Sequence, residues 1–225
     1  MATNLPRRLR KPVSPNLPLA DETYSRYYQD QLNSVLRLFF NQLSTIIASL
    51  IGTRGGKYLE FPYAAIQRTT DVLFTANTIK EITFDQNDFL SGCANDGTNG
   101  IAVEQDGIYN YQFSLQFANT ATQIHTAWVW LRVNNVDVAG TASKFDVPNK
   151  HGSSDGYLIA TCNFYVELQE GDYVSLYAAV DQAYSPTVPS TGIYVEAYAA
   201  QTSPFAHPAI PAAVATLSFV SALPA

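Results

Sequence analysis

The apolar spacing of this chain changes once, between Gly52 and Pro62, from a step of three and four residues to a step of two. A step of three or four places side chains on one face of a helix, and a step of two places them on one face of a strand. The chain is therefore read as one helical segment followed by sheet.

In the helical segment Leu32, Leu36, Phe39, Leu43, Ile46 and Leu50 recur at steps of 4, 3, 4, 3 and 4. That is a heptad seam with Leu36, Leu43 and Leu50 at one core position and Leu32, Phe39 and Ile46 at the other. No β-branched side chain occupies the first position, which is not the pattern that favours a two-stranded coil. Asp21 is the expected cap, with the helix starting at Glu22 or Thr23 and stopping at Gly52 before Gly55-Gly56. Such a rod has about 30 residues and is about 45 Å long. Val35, Phe40, Ile47 and Ile51 widen the apolar face, so it needs covering by copies of itself or by the chain's own sheets. Self-association into three is the expectation carried forward.

Beyond Pro62 the alternation is clearest at Tyr109, Tyr111, Phe113, Leu115 and Phe117, with Asn110, Gln112, Ser114 and Gln116 on the opposite face. Ala127, Val129, Leu131 and Val133 alternate with Trp128, Trp130 and Arg132, a strand apolar on both faces that is either central or covered by another subunit. Asn134-Asn135 tolerates the positive φ of a tight turn into residues 136–139. Residues 162–168 and 173–180 form another hairpin around Gln169-Glu170-Gly171-Asp172, and strands follow at 193–199 and 213–221. Weaker strands near 64–68, 79–85, 101–104 and 142–147 bring the total to about ten with no intervening helix, which means a mainly β sandwich or barrel. The expected domains are an extended Pro-rich arm over 1–20, a helical stalk over 21–57 and the β domain over 58–225.

Charge separates these parts. Arg7, Arg8, Arg10 and Lys11 stand in the arm without an acid, while the rest of the chain holds nine bases against 19 acids. An acidic body excludes a globular nucleic-acid binder, so no nucleic-acid partner is expected and the arm is read as an anchor on an acidic protein surface. The arm's prolines replace the apolar run of a secretory signal. The most apolar stretch, Ile46 to Ile51, is far short of the roughly 18 residues of a membrane span, so no membrane partner is expected.

Candidate chemistry is sparse. His125, His151 and His207 have no second histidine or cysteine at ligand spacing, and Cys93 and Cys162 are read as free thiols. Asp85, Asp88, Asn95, Asp96 and Asn99 offer oxygen ligands but match no calcium loop, and are read as a solvated turn. No nucleophile elbow or acid pair is present, so the expectation is no enzyme, no catalytic residues, no metal and no cofactor. Tyr157, Tyr165, Tyr177, Tyr184, Tyr194 and Tyr198 suit a subunit interface, with sugar stacking as the other option. Loop tips at 148–156 and 182–192, with Asn149, His151, Asp155 and Tyr184, are the candidate receptor contacts.

Three segments carry a likeness: Gly107-Ile108-Tyr109-Asn110-Tyr111-Gln112-Phe113-Ser114, Trp128-Val129-Trp130-Leu131-Arg132-Val133-Asn134, and Phe164 to Val174 with Glu170-Gly171-Asp172 at its turn. Together they resemble the complement-globular-head and tumour-necrosis-factor-like jelly roll found in bacteriophage structural proteins. The likeness spans roughly 62–225 and includes Pro208-Ala209-Ile210-Pro211. Tyr24-Ser25-Arg26-Tyr27-Tyr28 and the segment Leu36 to Leu43 also resemble the N-terminal part of phage appendage proteins. The resemblance implies a jelly roll that assembles as a tight homotrimer, with arm and helix docked on other virion proteins of the capsid or tail. It implies a virion location, as a decoration or appendage protein, or alternatively as the receptor-binding head of a short tail fibre that meets a host glycan or protein. The short stalk, without fibre repeats, departs from a long fibre.

Overall fold

The computed structural model describes residues 13–19, 23–51, 61–95, 100–188 and 191–223, and the chain divides into two compact units, Met1–Glu60 and Phe61–Ala225. Arg7, Arg8, Arg10, Lys11, Asp21, Asp96, Asn99 and the side chain of Leu50 lie outside the described residues.

In the first unit, residues 13–19 carry no regular secondary structure, and Asn16, Leu17 and Pro18 lie against Gln31, Ser34 and Val35 of the helix. Helix α1 runs Arg26–Ile51 and starts later than expected. Ser25 is the reason: its Oγ accepts the Tyr28 N–H at 3.3 Å while its carbonyl accepts Gln29 N–H, the two bonds of an N-cap. None of the described helix side chains is buried. Leu32, Leu36, Phe39, Leu43 and Ile46 are half-buried, whereas Leu38 and Phe40 remain 61% and 58% exposed.

The second unit is two antiparallel sheets around one core. Its strands are β1 Tyr63–Arg68, β2 Lys80–Ile82, β3 Gln86–Ser91, β4 Cys93–Asn95, β5 Ile101–Val103, β6 Gly107–Asn119, β7 His125–Val133, β8 Val136–Asp137, β9 Ser143–Val147, β10 Gly156–Leu168, β11 Tyr173–Val180, β12 Ile193–Val195 and β13 Ala213–Ser221. The first sheet has the order β10-β6-β13-β1-β3, with β12 also on β6, and the second has β4-β5-β11-β7-β8, with β2 on β11 and β9 on β7. The long strands β6, β7, β10, β11 and β13 thus alternate between sheets, which is how a jelly roll wraps its core.

Period-two burial selects the core. Tyr109, Tyr111, Phe113, Leu115 and Phe117 of β6 point inward with Ala160 and Val166 of β10 and Ala215 and Leu217 of β13, against Val129, Leu131, Val174 and Leu176 of the second sheet. At Gly107 the Phe219 ring leaves no room for a Cβ, and at Gly156 the Pro148 carbonyl does the same. Asn134 and Asn135 both adopt positive φ, at 49° and 66°, so the predicted tight turn between β7 and β8 is the hairpin type whose twist matches the strands. β7 is central in its sheet.

The strand expected over 79–85 is shorter, only Lys80–Ile82 of the second sheet, and the chain then passes into β3 of the first sheet. The strand expected over 193–199 pairs only through Val195, followed by a single bridge at Tyr198. The predicted solvated turn around Asp85 and Asp88 is instead largely strand: β3 includes Asp88, and Asn95 closes β4.

Candidate interaction surfaces

Strand register fixes two ends of the sandwich. Tyr63, Asn110, Tyr165 and Ser218 share one row near the end where the chain enters and β13 leaves. At the other end, Asn119 and Thr120 tie the loops together. The Asn119 side chain donates to the carbonyls of Gln123 at 2.9 Å and Val147 at 3.2 Å, and accepts Ala121 N–H at 2.9 Å. Thr120 N–H donates to Gly192 O, and Lys150 N–H to Ala121 O. The loops 148–156 and 182–192 therefore gather at the end opposite the chain entry. Tyr184 stacks on Tyr194 with centroids 4.6 Å apart, and the charge of Asp155 also acts on Tyr194, while Asn149 and His151 stand on the adjoining hairpin closed by the His151–Ser154 bridge.

The outward face of the first sheet carries few charges on its long strands. Along β10, β6, β13 and β1 its outward positions carry Glu167 as their one charged side chain. They also carry large side chains left open: Tyr165 is 67% exposed, Ile159 59% and Tyr157 54%, with Tyr63 and Val220 near half. Phe89, on β3 opposite Ala65, adds a further 67% exposed ring. Between these flanks Ser114, Thr161, Asn163, Val214 and Thr216 are short, and a recess of about 530 Å³ lies over them beside Gln112. At the loop end burial, followed by the neighbouring Glu196 carboxylate, pushes the phenols of Tyr194 and Tyr198 upward. Oε2 of Glu196 and Oδ1 of Asn110, both on this face, are shielded acceptors without a donor.

The outward face of the second sheet is built differently, from charges satisfied within the chain. Asp137 accepts Trp130 Nε1–H at 2.7 Å and Arg132 Nε–H at 2.6 Å, and these donors hold its carboxyl below the usual range. The Arg132 guanidinium lies 4.3 Å from the centre of the Tyr177 ring, whose other stacking partner is Trp130 and whose hydroxyl donates to Glu81 at 3.1 Å. Asp146 accepts Thr126 Oγ1–H at 2.7 Å and pairs with Lys144 at 3.3 Å.

Groups considered for chemistry are dispersed. His125 opens β7 as expected, with Nδ1 3.3 Å from Asp181, which also accepts Thr126 N–H. His207 faces the Pro208 carbonyl. Asp85 accepts from the backbone and hydroxyl of Thr69 and from Thr70 and pairs with Arg68, while Asp88 accepts from Gln67 and Gln86. Asn95 donates to Asn87. Among the described residues no three His, Cys, Asp or Glu side chains gather as a metal site, and no helix is long and apolar enough to cross a membrane. Cys93 is buried, and that burial together with Glu104 raises its thiol to about 11; Cys162 is half-buried, its Sγ 3.4 Å from the Ser143 hydroxyl, and both are unpaired.

No described protein family matches the sequence, and no curated protein matches it. Solved structures similar to it include the globular domain of zebrafish complement 1qA protein, at 12% identity and a TM-score of 0.44 over 73% of this chain and 100% of that one. The TNF Eiger from S. frugiperda gives 10% and 0.46 over 74% of this chain and 97% of that one, and murine APRIL at pH 5.0 gives 14% and 0.43 over 71% and 100%.

Proposed function

We propose that this protein is a non-enzymatic structural component of a bacteriophage particle, a homotrimer whose jelly rolls meet through the outward face of the first sheet. One observation carries the reading: along β10, β6, β13 and β1 that face sets Tyr63, Tyr157, Ile159 and Tyr165 in water with Glu167 as the one charged side chain. Depletion of charge with enrichment of aromatic side chains marks the core of a protein interface, and an open patch of this kind is unusual on a monomer. The recess over Ser114 and Thr216 gives a neighbour's large side chains somewhere to sit. In the same assembly the heptad seam of α1 zips three helices, and Arg7, Arg8, Arg10 and Lys11 hold an acidic surface of another virion protein.

Removing residues 1–20 tests the anchoring half of this reading. The shortened chain keeps the oligomeric state of the full chain and fails to join particles assembled in its presence. Incorporation at the full-length level would refute the role of the arm.

A second reading, the receptor-binding head of a short tail fibre, is favoured by the gathering of loops 148–156 and 182–192 at the end away from chain entry. Exchanging both loops abolishes adsorption to host cells if that reading holds and leaves it unchanged if it does not.

A further inference from the structure

Between β12 and β13 the chain leaves the first sheet and returns to it at one residue. Gln116 O accepts Glu196 N–H, and Gln116 N–H donates to Ala212 O, so residues 197–211 form an excursion from the edge of β6. The sheet positions beside that point are taken, since Ala212 N–H donates to Arg68 O and Val72 bridges Val195. The excursion is a hairpin, closed by the Tyr198–Ile210 and Gln201–His207 bridges. Its base lies on the outward side: the Tyr198 ring meets that of Tyr157, an outward residue of β10, with centroids 6.4 Å apart. Residues 199–206 are all exposed. From Tyr198 to the tip near Pro204 an extended strand reaches about 20 Å at most.

Two properties of this hairpin point to a docking role. Residues 197–211 hold no Asp, Glu, Lys or Arg, although charged side chains belong mostly on such exposed segments. The tip presents Phe205, 69% exposed, with its ring centre 5.9 Å from that of His207. Pro204, Pro208 and Pro211 stiffen the hairpin, so docking costs little conformational freedom. The same face supplies a socket. The recess of about 530 Å³ over Ser114, Thr161 and Thr216 has an uncharged lining and adjoins the hairpin's base, Ser114 and Gln116 being neighbours on the outward face of β6. The paired stem carries Phe205 away from its own recess, so the occupant of that recess comes from another molecule.

Within the trimer proposed above, on which this step rests, we infer that Phe205 of each copy seats in the recess of the next copy. Plug and socket are separate patches of one chain, so the contact is head-to-tail, and three such contacts close around a threefold axis. An uncharged hairpin entering an uncharged recess buries an aromatic ring without stranding a charge.

Sedimentation velocity of the full chain over a dilution series reads the contact. Phe205→Ser raises the dissociation constant by about tenfold or more while the circular dichroism remains that of the parent. Ser114→Trp, which fills the socket and leaves the hairpin intact, has the same effect. With Cys162→Ser in every chain, co-expressed Phe205→Cys and Ser114→Cys chains form a mixed interchain disulfide on mild oxidation, and neither does so alone. If the parent assembles but folded Phe205→Ser holds together to the same dilution, or if the assembled chains give no mixed disulfide, this contact is overturned and the trimer stands. A monomeric parent overturns both.

Discussion

Replacing Tyr165 and Ile159 together by serine removes two of the largest open side chains from the outward face of the first sheet, and neither contributes to the core of its own chain. They are 67% and 59% exposed in one copy. Fully burying such a side chain is worth about 1.5–3 kcal/mol, so covering the open two thirds of both contributes about 3 kcal/mol for each copy that joins. A loss of that size raises a dissociation constant by about a hundredfold per protomer. Both residues sit on the solvent side of β10, and serine is accepted there, so the fold of the single chain is expected to persist with stability changed by about 0.5 kcal/mol or less. Sedimentation velocity over a dilution series reads the assembly, and circular dichroism with a thermal scan reads the fold. The expected outcome is a folded variant that dissociates at concentrations where the parent remains assembled. A variant that is folded and holds the parent's oligomeric state down to the same dilution refutes the assignment of this face.

Three further outcomes follow from the fold. Asn119→Ala strands the Ala121 N–H and the Val147 carbonyl inside the loop end and lowers stability by about 2–3 kcal/mol, read from the denaturant midpoint; a loss under about 0.5 kcal/mol would show that water replaces the side chain. The carboxyl of Asp137 is held below its ordinary 3.8 in the folded chain, so its contribution is present above that pH and is lost as the pH falls through the lower folded value; Asp137→Asn therefore flattens the acid limb of the stability profile below 3.8, and an unchanged limb would contradict the pairing with Arg132 and Trp130. Cys93, raised to about 11 by burial and Glu104, stays protonated and enclosed at pH 8, so iodoacetamide labels it only after denaturation, as peptide mass analysis will show; rapid labelling of the native protein would contradict its place in the core.

The strands legible in the sequence are those with one wet face and one dry one. In β6 the alternation of aromatic and amide residues specified both the strand and its inward face, and the asparagine pair after β7 specified a turn needing positive φ twice. Strand β3 was illegible for a physical reason. It is an edge strand whose residues Gln86 to Leu90 are all exposed, so burial imposes no alternation, and its acids and amides read as a turn. The helix start was misplaced because Asp21 and Ser25 are both good caps by residue type. Only the hydrogen bond from Tyr28 to the Ser25 hydroxyl shows which one is used.

For the candidate surfaces the sequence supplied residue types but not groupings. A count of tyrosines places Tyr177 with Tyr165, yet register puts them on opposite sheets, one in contact with both Arg132 and Trp130 and the other open to solvent. The apolar-on-both-faces pattern of β7 signalled a second surface without saying what held it. Its polar partners, Asp137 on β8 and Tyr177 on β11, come together only through pairing across the sheet. The loops with His151 and Tyr184 are brought to one end by Asn119 and Thr120, whose role no motif announces.

The mass of the full chain in dilute micromolar solution tests the central claim most directly. Three copies meeting through the first sheet and the helical seam give a particle three times the 24.7 kDa of one chain. A stable species of 24.7 kDa at that concentration, with the aromatic face of β10 open to water, would contradict it.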